Sequence, residues 1–224
     1  MVRRTFLVLT TAALLIVANA SPSGAQTVVT ENGDAGSVPA TAQVIPGEVT
    51  TITGTLALLD QEDLYRVCLA PGQAFSATTA GSDIADTQLF LFDATGRGVA
   101  ANDDDATGLQ STLPAGLELN PTSGGIYYLG VSSFDADPLS SAGAIFTGEE
   151  IIDDVRYFVP GPPGGDLPVS EWSFFGTYEG GYQVTLTGTT SGCAPTTKAE
   201  CKQGGWRSFG TTFKNQGECV TSLR

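Results

Sequence analysis

Two groups of acidic residues carry the chemistry open to this chain. In Asp86-Thr-Gln-Leu-Phe-Leu-Phe-Asp93-Ala-Thr-Gly-Arg-Gly-Val-Ala-Ala-Asn102-Asp-Asp-Asp105, two apolar runs flank a turn made of Asp93, Gly96 and Gly98. A hairpin there returns Asp86 to the side of Asn102, Asp103, Asp104 and Asp105. Up to four carboxylates and an amide then meet at one end. Like charges so crowded repel, so either solvent and salt screen them or a hard cation neutralises them; Ca2+ prefers carboxylate, amide and backbone oxygens. The spacing is not that of an EF-hand loop. A solvated acidic turn, with Asp side chains capping backbone N–H groups, is the competing reading. The other group is Glu31, Asn32 and Asp34 with Asp60 and Asp63. It assembles only if the N-terminal segment folds back over the strand starting near Asp63.

The same acids could be catalytic, because a glycosidase needs only two carboxyl groups. An extracellular, glycan-directed hydrolase is therefore the alternative to a cation-binding module. Nothing singles out one pair among the 24 acidic residues, and Trp172 and Trp206 are the two indoles available to bind a sugar. There is no histidine, which removes Ser-His-Asp and Cys-His machinery and His-ligated zinc. All three lysines, Lys198, Lys202 and Lys214, lie near the C-terminus, so the body offers no amine for a Schiff base or a Ser-Lys pair. No G-x-S-x-G elbow occurs. A non-enzymatic role is the expectation.

The elements that must position these acids read as short strands, because Val, Ile, Thr, Tyr and Phe recur in brief runs broken by Gly, Pro, Asn and Asp. Strands are predicted at Val49–Leu56, Asp63–Leu69, Gln73–Thr79, Thr87–Phe92, Gly98–Ala101, Ile126–Ser132 and Gly181–Thr187. Alternation places Tyr65, Val67 and Leu69 on a core face and Leu64, Arg66 and Cys68 on the other. The run Gln88–Phe92 is apolar on both faces and fits a central strand covered on both sides. No helical apolar period appears beyond the N-terminal run. Together these features predict an all-β chain, a jelly-roll-like antiparallel β-sandwich spanning residues 26–189. A proline- and acid-rich insertion at about 135–172 is too long for an ordinary loop. It is expected to be a binding flap or a surface insertion covering a sheet edge, with a short hairpin at Asp153–Val159.

Arg3 and Arg4 followed by the apolar run Phe6–Ala18 and small residues up to Ala25 predict an export signal over residues 1–25, too short to span a bilayer. An extracellular address without membrane insertion follows. The formal net charge is −14. Residues 26–189 carry 22 acids against Arg66, Arg97 and Arg156, a net of −19, whereas residues 190–224 carry five bases against Glu200 and Glu218, a net of +3. That asymmetry suggests two modules, and the acidity argues against nucleic acid as a partner. Four cysteines in an exported chain imply two disulfides with three possible connectivities. Cys201 and Cys219 bracket a small Gly- and aromatic-rich segment that needs a staple to cohere, which leaves Cys68 to meet Cys193. A four-cysteine zinc site is the alternative, although no CxxC spacing is present.

The stretches Glu31–Asp34, Asp60 to Asp63-Leu-Tyr-Arg-Val, Asp86 to Asp93, Asn102-Asp-Asp, Ile126-Tyr-Tyr-Leu-Gly-Val131 and Gly181-Tyr-Gln-Val-Thr-Leu186 occur in this order. The body from about Thr30 to Gly188 thereby resembles the bacterial pre-peptidase C-terminal domain. The resemblance implies a jelly-roll-like sandwich, usually accessory to secreted proteases. In the related collagen-binding modules of clostridial collagenases, calcium is held by acids of an N-terminal linker and of an Asp-x-x-Asp turn. Carried over, those ligands are Glu31, Asn32, Asp34, Asp60 and Asp63, with one Glu of the linker pattern missing here. No protease domain precedes the module, as in stand-alone exported relatives. The tail resembles a Gly-Gly-Trp…Phe-Lys-Asn-Gln-Gly-x-Cys motif at the ends of other secreted bacterial proteins. A secreted, calcium-stabilised binding module for an extracellular protein or polysaccharide is the resulting expectation.

Overall fold

The computed structural model describes residues 26–45, 47–176, 178–191, 193, 195, 197–199, 201–202, 206 and 213–223. The expected export signal lies outside them. In chain order the strands are β1 (Val28–Thr30), β2 (Gln43–Val44), β3 (Thr51–Leu56), β4 (Glu62–Leu69), β5 (Ser76–Thr78), β6 (Thr87–Phe92), β7 (Gly98–Asn102) and β8 (Thr112–Leu113). They continue with β9 (Gly125–Ser133), β10 (Pro138–Ser140), β11 (Gly143–Ala144), β12 (Phe146–Ile152), β13 (Val155–Pro160), β14 (Glu171–Trp172) and β15 (Gly180–Thr187). A five-stranded sheet in the order β1-β3-β15-β5-β8 faces a seven-stranded sheet in the order β12-β13-β7-β6-β9-β4-β2. Pairing is antiparallel except where β1 joins β3 and β2 joins β4 in parallel.

The main core lies between the sheets. Ile52, Leu56, Val184 and Leu186 from one sheet meet Tyr65, Val67, Leu69, Leu89, Leu91, Leu129 and Val131 from the other. Tyr65, Val67 and Leu69 are the face predicted from alternation. The opposite face of the large sheet buries Leu64, Phe90, Phe92, Ala101 and Tyr128 against Ile145 and Val169. The insertion supplies this second cover: Phe146, Phe158 and Trp172 pack there, with Trp172 edge-on to Phe90 at 5.3 Å between centroids. Every residue of β6 is buried, as its two-faced apolar pattern requires.

The insertion differs from its expected short hairpin. Its strands β12 and β13 pair over Phe146–Pro160, and Asp153 and Asp154 form the turn rather than the start, both with positive φ. Positive φ at both central residues is the hairpin turn geometry that Asn, Asp and Gly tolerate. A three-stranded sheet, β11-β10-β14, completes the insertion.

The tail carries a short α-helix that no apolar period announces: Gln216–Ser222, α1. Asn215 caps it by accepting from the Glu218 N–H, and the Glu218 carboxylate accepts from the Lys214 N–H. The Asn215 cap satisfies a donor that the helix start leaves orphaned, and the Glu218 carboxylate ties down the residue before the cap. Both disulfides form as expected, Cys68 to Cys193 and Cys201 to Cys219, with Cα separations of 5.5 and 5.6 Å.

Candidate metal centre

The segment after β1 folds back over the start of β4. The Glu31 N–H donates to the Thr53 carbonyl, the Leu64 N–H to that of Gly36, and the Gln43 N–H to that of Ala35. The Asn32 N–H donates to Gln43 Oε1 at 2.8 Å. These bonds carry the chain from the small sheet, which β1 joins, to the large sheet, which β2 joins. Asp34 crosses the start of β4 on the way, and an isolated bridge between Ala57 and Asp60 presents Asp60 from the β3–β4 turn. The carboxylates of Asp34, Asp60 and Asp63 consequently each place an oxygen within 4.8 Å of the others.

Asp63 is 0% exposed. Its Oδ2 accepts from the Tyr182 hydroxyl at 2.5 Å. Tyr182 also shares a short hydrogen bond with Tyr65. Since the single Tyr182 proton goes to Asp63, Tyr65 donates in turn to Tyr182. Asp63 Oδ1 and Glu31 Oε1 are buried with no hydrogen-bond partner, while Glu31 Oε2 accepts from the Thr55 N–H at 2.9 Å. Burial pushes the Asp63 carboxyl up to about 8; the Tyr182 hydroxyl and, more weakly, the Ala35 backbone N–H oppose this, and the charges of Glu31 and Asp60 add to it. Burial, then Asp34 and Glu31, raise Asp60. Burial and Asp60 push Glu62 up to about 7. Burial, with the neighbouring Asp63 charge, raises both phenols above their ordinary range, so both stay neutral. The sequence reading missed Tyr65, Tyr182 and Glu62 as members of this neighbourhood. A tyrosine on the core face of a strand otherwise rich in Val and Leu is the signal that could have found Tyr182, because a buried phenol needs a partner.

The second cluster rests on the β6–β7 hairpin. Asp93 Oδ1 closes its turn by accepting from the Thr95 N–H and hydroxyl and from the Arg97 N–H. Gly96 supplies a positive φ there. With Leu89 opposite Asn102, Asp86 reaches the residues after β7, and Asp86, Asp103 and Asp104 each place a carboxylate oxygen within 4.8 Å of the others. Asp86 Oδ1 and Asp103 Oδ1 are buried and unpartnered. Burial pushes Asp103 up to about 7, helped by Asp104, Asp86 and Asp137 and opposed by Arg156. Burial and then Asp104 raise Asp86.

Two residues expected in this cluster are engaged elsewhere. The Asn102 amide donates to the carbonyls of Asp104 and Arg156, and its Oδ1 accepts from the Thr112 N–H at 2.6 Å. Asp105 Oδ1 accepts from the Thr107 N–H and hydroxyl and from the Gly108 N–H. Burial raises Asp105, but these bonds outweigh it and hold the carboxyl below its ordinary value. Asp105 is thus the capping aspartate of the competing reading, two residues from Asp103, which is not. Beside this cluster a cavity of about 190 Å³ is lined by Gln88, Phe90, Asp103, Asp137 and Phe158 among others.

Both clusters could hold a metal ion. All four cysteines are in disulfides and no histidine exists, so the available ligands are hard oxygens, which suit Ca2+ or Mg2+ rather than zinc or copper. Among the described residues no helix is long and apolar enough to cross a membrane. No family model and no curated protein matches this chain.

Proposed function

We propose that this chain is a secreted, non-catalytic β-sandwich module of the pre-peptidase C-terminal kind, stabilised by Ca2+ and acting in extracellular or cell-surface binding. Asp34, Asp60 and Asp63, with Glu31, would hold the ion, and Asn32 lies on the same segment. The observation that carries this reading is the pair of buried, unpartnered oxygens, Asp63 Oδ1 and Glu31 Oε1, beside three clustered carboxylates. An unsatisfied buried acceptor costs about 1–3 kcal/mol, and a calcium ion supplies what no donor does. Full burial also argues against Asp63 as a glycosidase acid, which must touch its substrate. The exposed apolar residues Leu58 and Leu59 border Asp60, and Phe174 and Phe175 precede Gly176, whose N–H donates to Gln61 Oε1. Exposed apolar side chains on the segments that flank Asp60 and Gln61 suit a binding surface.

The test is thermal unfolding with calcium and with chelator. Calcium at about a hundred times its Kd adds about 2.7 kcal/mol, which raises the midpoint by roughly 5–10 °C for a domain of this size. Asp60→Asn should abolish most of that gain. An unchanged midpoint in chelator, together with no heat on calcium titration, overturns the proposal.

A further inference from the structure

We infer that the open end of the β6–β7 hairpin is a second, independent divalent-cation site, formed by the carboxylates of Asp86, Asp103 and Asp104 and suited to Ca2+. Two oxygens on one calcium ion at 2.3–2.6 Å lie at most about 5 Å apart, and the oxygens of these three side chains meet that limit, all within 4.8 Å of one another. Proximity alone would describe any acidic turn. The second observation concerns the donors. Asp86 is only 5% exposed, yet its Oδ1 has no hydrogen-bond partner, and neither does the buried Oδ1 of Asp103.

The donors of the neighbouring side chains are engaged elsewhere. The Gln110 amide donates to the carbonyls of Ile84 and Ala85, and Ser111 Oγ donates to those of Thr87 and Asp103. The Asn102 amide donates to the carbonyls of Asp104 and Arg156, and Gln88 Nε2 donates to Asp137. Arg156 lines a hollow with Asp103 and Asp104, is largely exposed, and pairs with Glu149 at 3.8 Å. The fold therefore leaves the Asp86 and Asp103 oxygens as buried acceptors without donors beside the exposed Asp104 carboxylate, an arrangement that a hard cation would complete.

Calcium stoichiometry measured by titration calorimetry on the chelator-treated protein tests this. Asp104 is exposed, so Asp104→Asn should leave the fold intact while removing one calcium equivalent or weakening it at least tenfold. Asp86→Asn should do the same. Asp60→Asn should spare this equivalent, so the site stands even if the cluster around Asp63 binds nothing. If Asp104→Asn, folded by circular dichroism, binds calcium with the stoichiometry and affinity of the unaltered protein, the inference is wrong. Loss of all calcium binding in Asp60→Asn would equally overturn it.

Discussion

The two carboxylate clusters flank the same strand end, since Glu62 of β4 lies opposite Ser132 and Thr87 of β6 opposite Ser133, the last residues of β9, but they are assembled differently. Asp86, Asp103 and Asp104 come from one hairpin whose turn is closed by Asp93. Asp34, Asp60 and Asp63 come from three segments, and Asp63 takes its hydrogen bond from Tyr182, 119 residues away. The local cluster needs only β6 and β7 to pair. The distributed one exists only when the N-terminal segment, β4 and β15 are all in place. An ion there would bind the folded state alone, so its binding energy would be folding energy, whereas an ion at the hairpin end would bridge residues that one local pairing already brings together.

The largest effect separating the clusters should come from Gly54→Ala. Gly54 lies opposite Tyr182 in the β3–β15 ladder, and a Cβ there would overlap the Tyr182 phenol ring. Tyr182 is buried and bonded at its hydroxyl, so it has no room to yield. Overpacking of this kind costs about 1–3 kcal/mol. Denaturant unfolding should show that loss, and calorimetry should show weaker calcium binding at the Asp63 cluster with the hairpin equivalent unchanged. Equal weakening of both would erase the distinction between distributed and local assembly.

An effect of more than about 1 kcal/mol should also appear with pH in chelator. Asp63 is raised from 3.8 to about 8, and Glu62 and Asp103 to about 7. A raised carboxyl binds more protons folded than unfolded, so its stabilisation is complete below pH 4 and is lost as pH rises through the folded value. Stability of the chelated protein should therefore fall between about pH 4 and 8. Calcium, which binds the ionised forms, should reverse the trend near and above pH 7. Urea unfolding across that range checks it, and Asp63→Asn should flatten the chelated curve more than Asp104→Asn does. A chelated protein that gains stability over the same interval would contradict the rise that burial imposes on the Asp63 carboxyl.

The smallest effect concerns Asp105. Asp105→Ala removes a turn cap and should cost about 0.5–2 kcal/mol, without changing calcium stoichiometry. Because its carboxyl is depressed, this contribution is present at neutral pH and fades as pH falls through the folded value, opposite in sign to Asp103. Loss of a calcium equivalent in Asp105→Ala would move Asp105 from cap to ligand.

Much of the sandwich was legible because strand pattern is local. Thr87–Phe92 matches its prediction residue for residue, and Asp63–Leu69 and Gly181–Thr187 differ only by one residue at their starts. The two-residue strands β2, β8, β11 and β14 were not legible, since so short a run has no period and exists only through its partner. Helix α1 was missed because seven residues give too little apolar repeat, although Asn215 and Glu218 three residues on are a capping signal.

For the site, the sequence by itself determined the inventory: abundant carboxylates without histidine, and a hairpin that brings Asp86 back toward Asp103. Both follow from residue identity and a short loop, whose closure costs little entropy. That the cysteines are all in disulfides was decided by the fold. Tertiary structure decided which acids keep open oxygens and which are used as caps. Asn102 and Asp105 are spent on backbone bonds, while Asp63 and Asp86 are left with unpartnered oxygens, and Glu62 and Tyr182 join the first cluster from outside any motif. The difference between a capping carboxylate and a cation-seeking one lies in desolvation and in where the neighbouring donors point, and both are set by segments far apart in the chain.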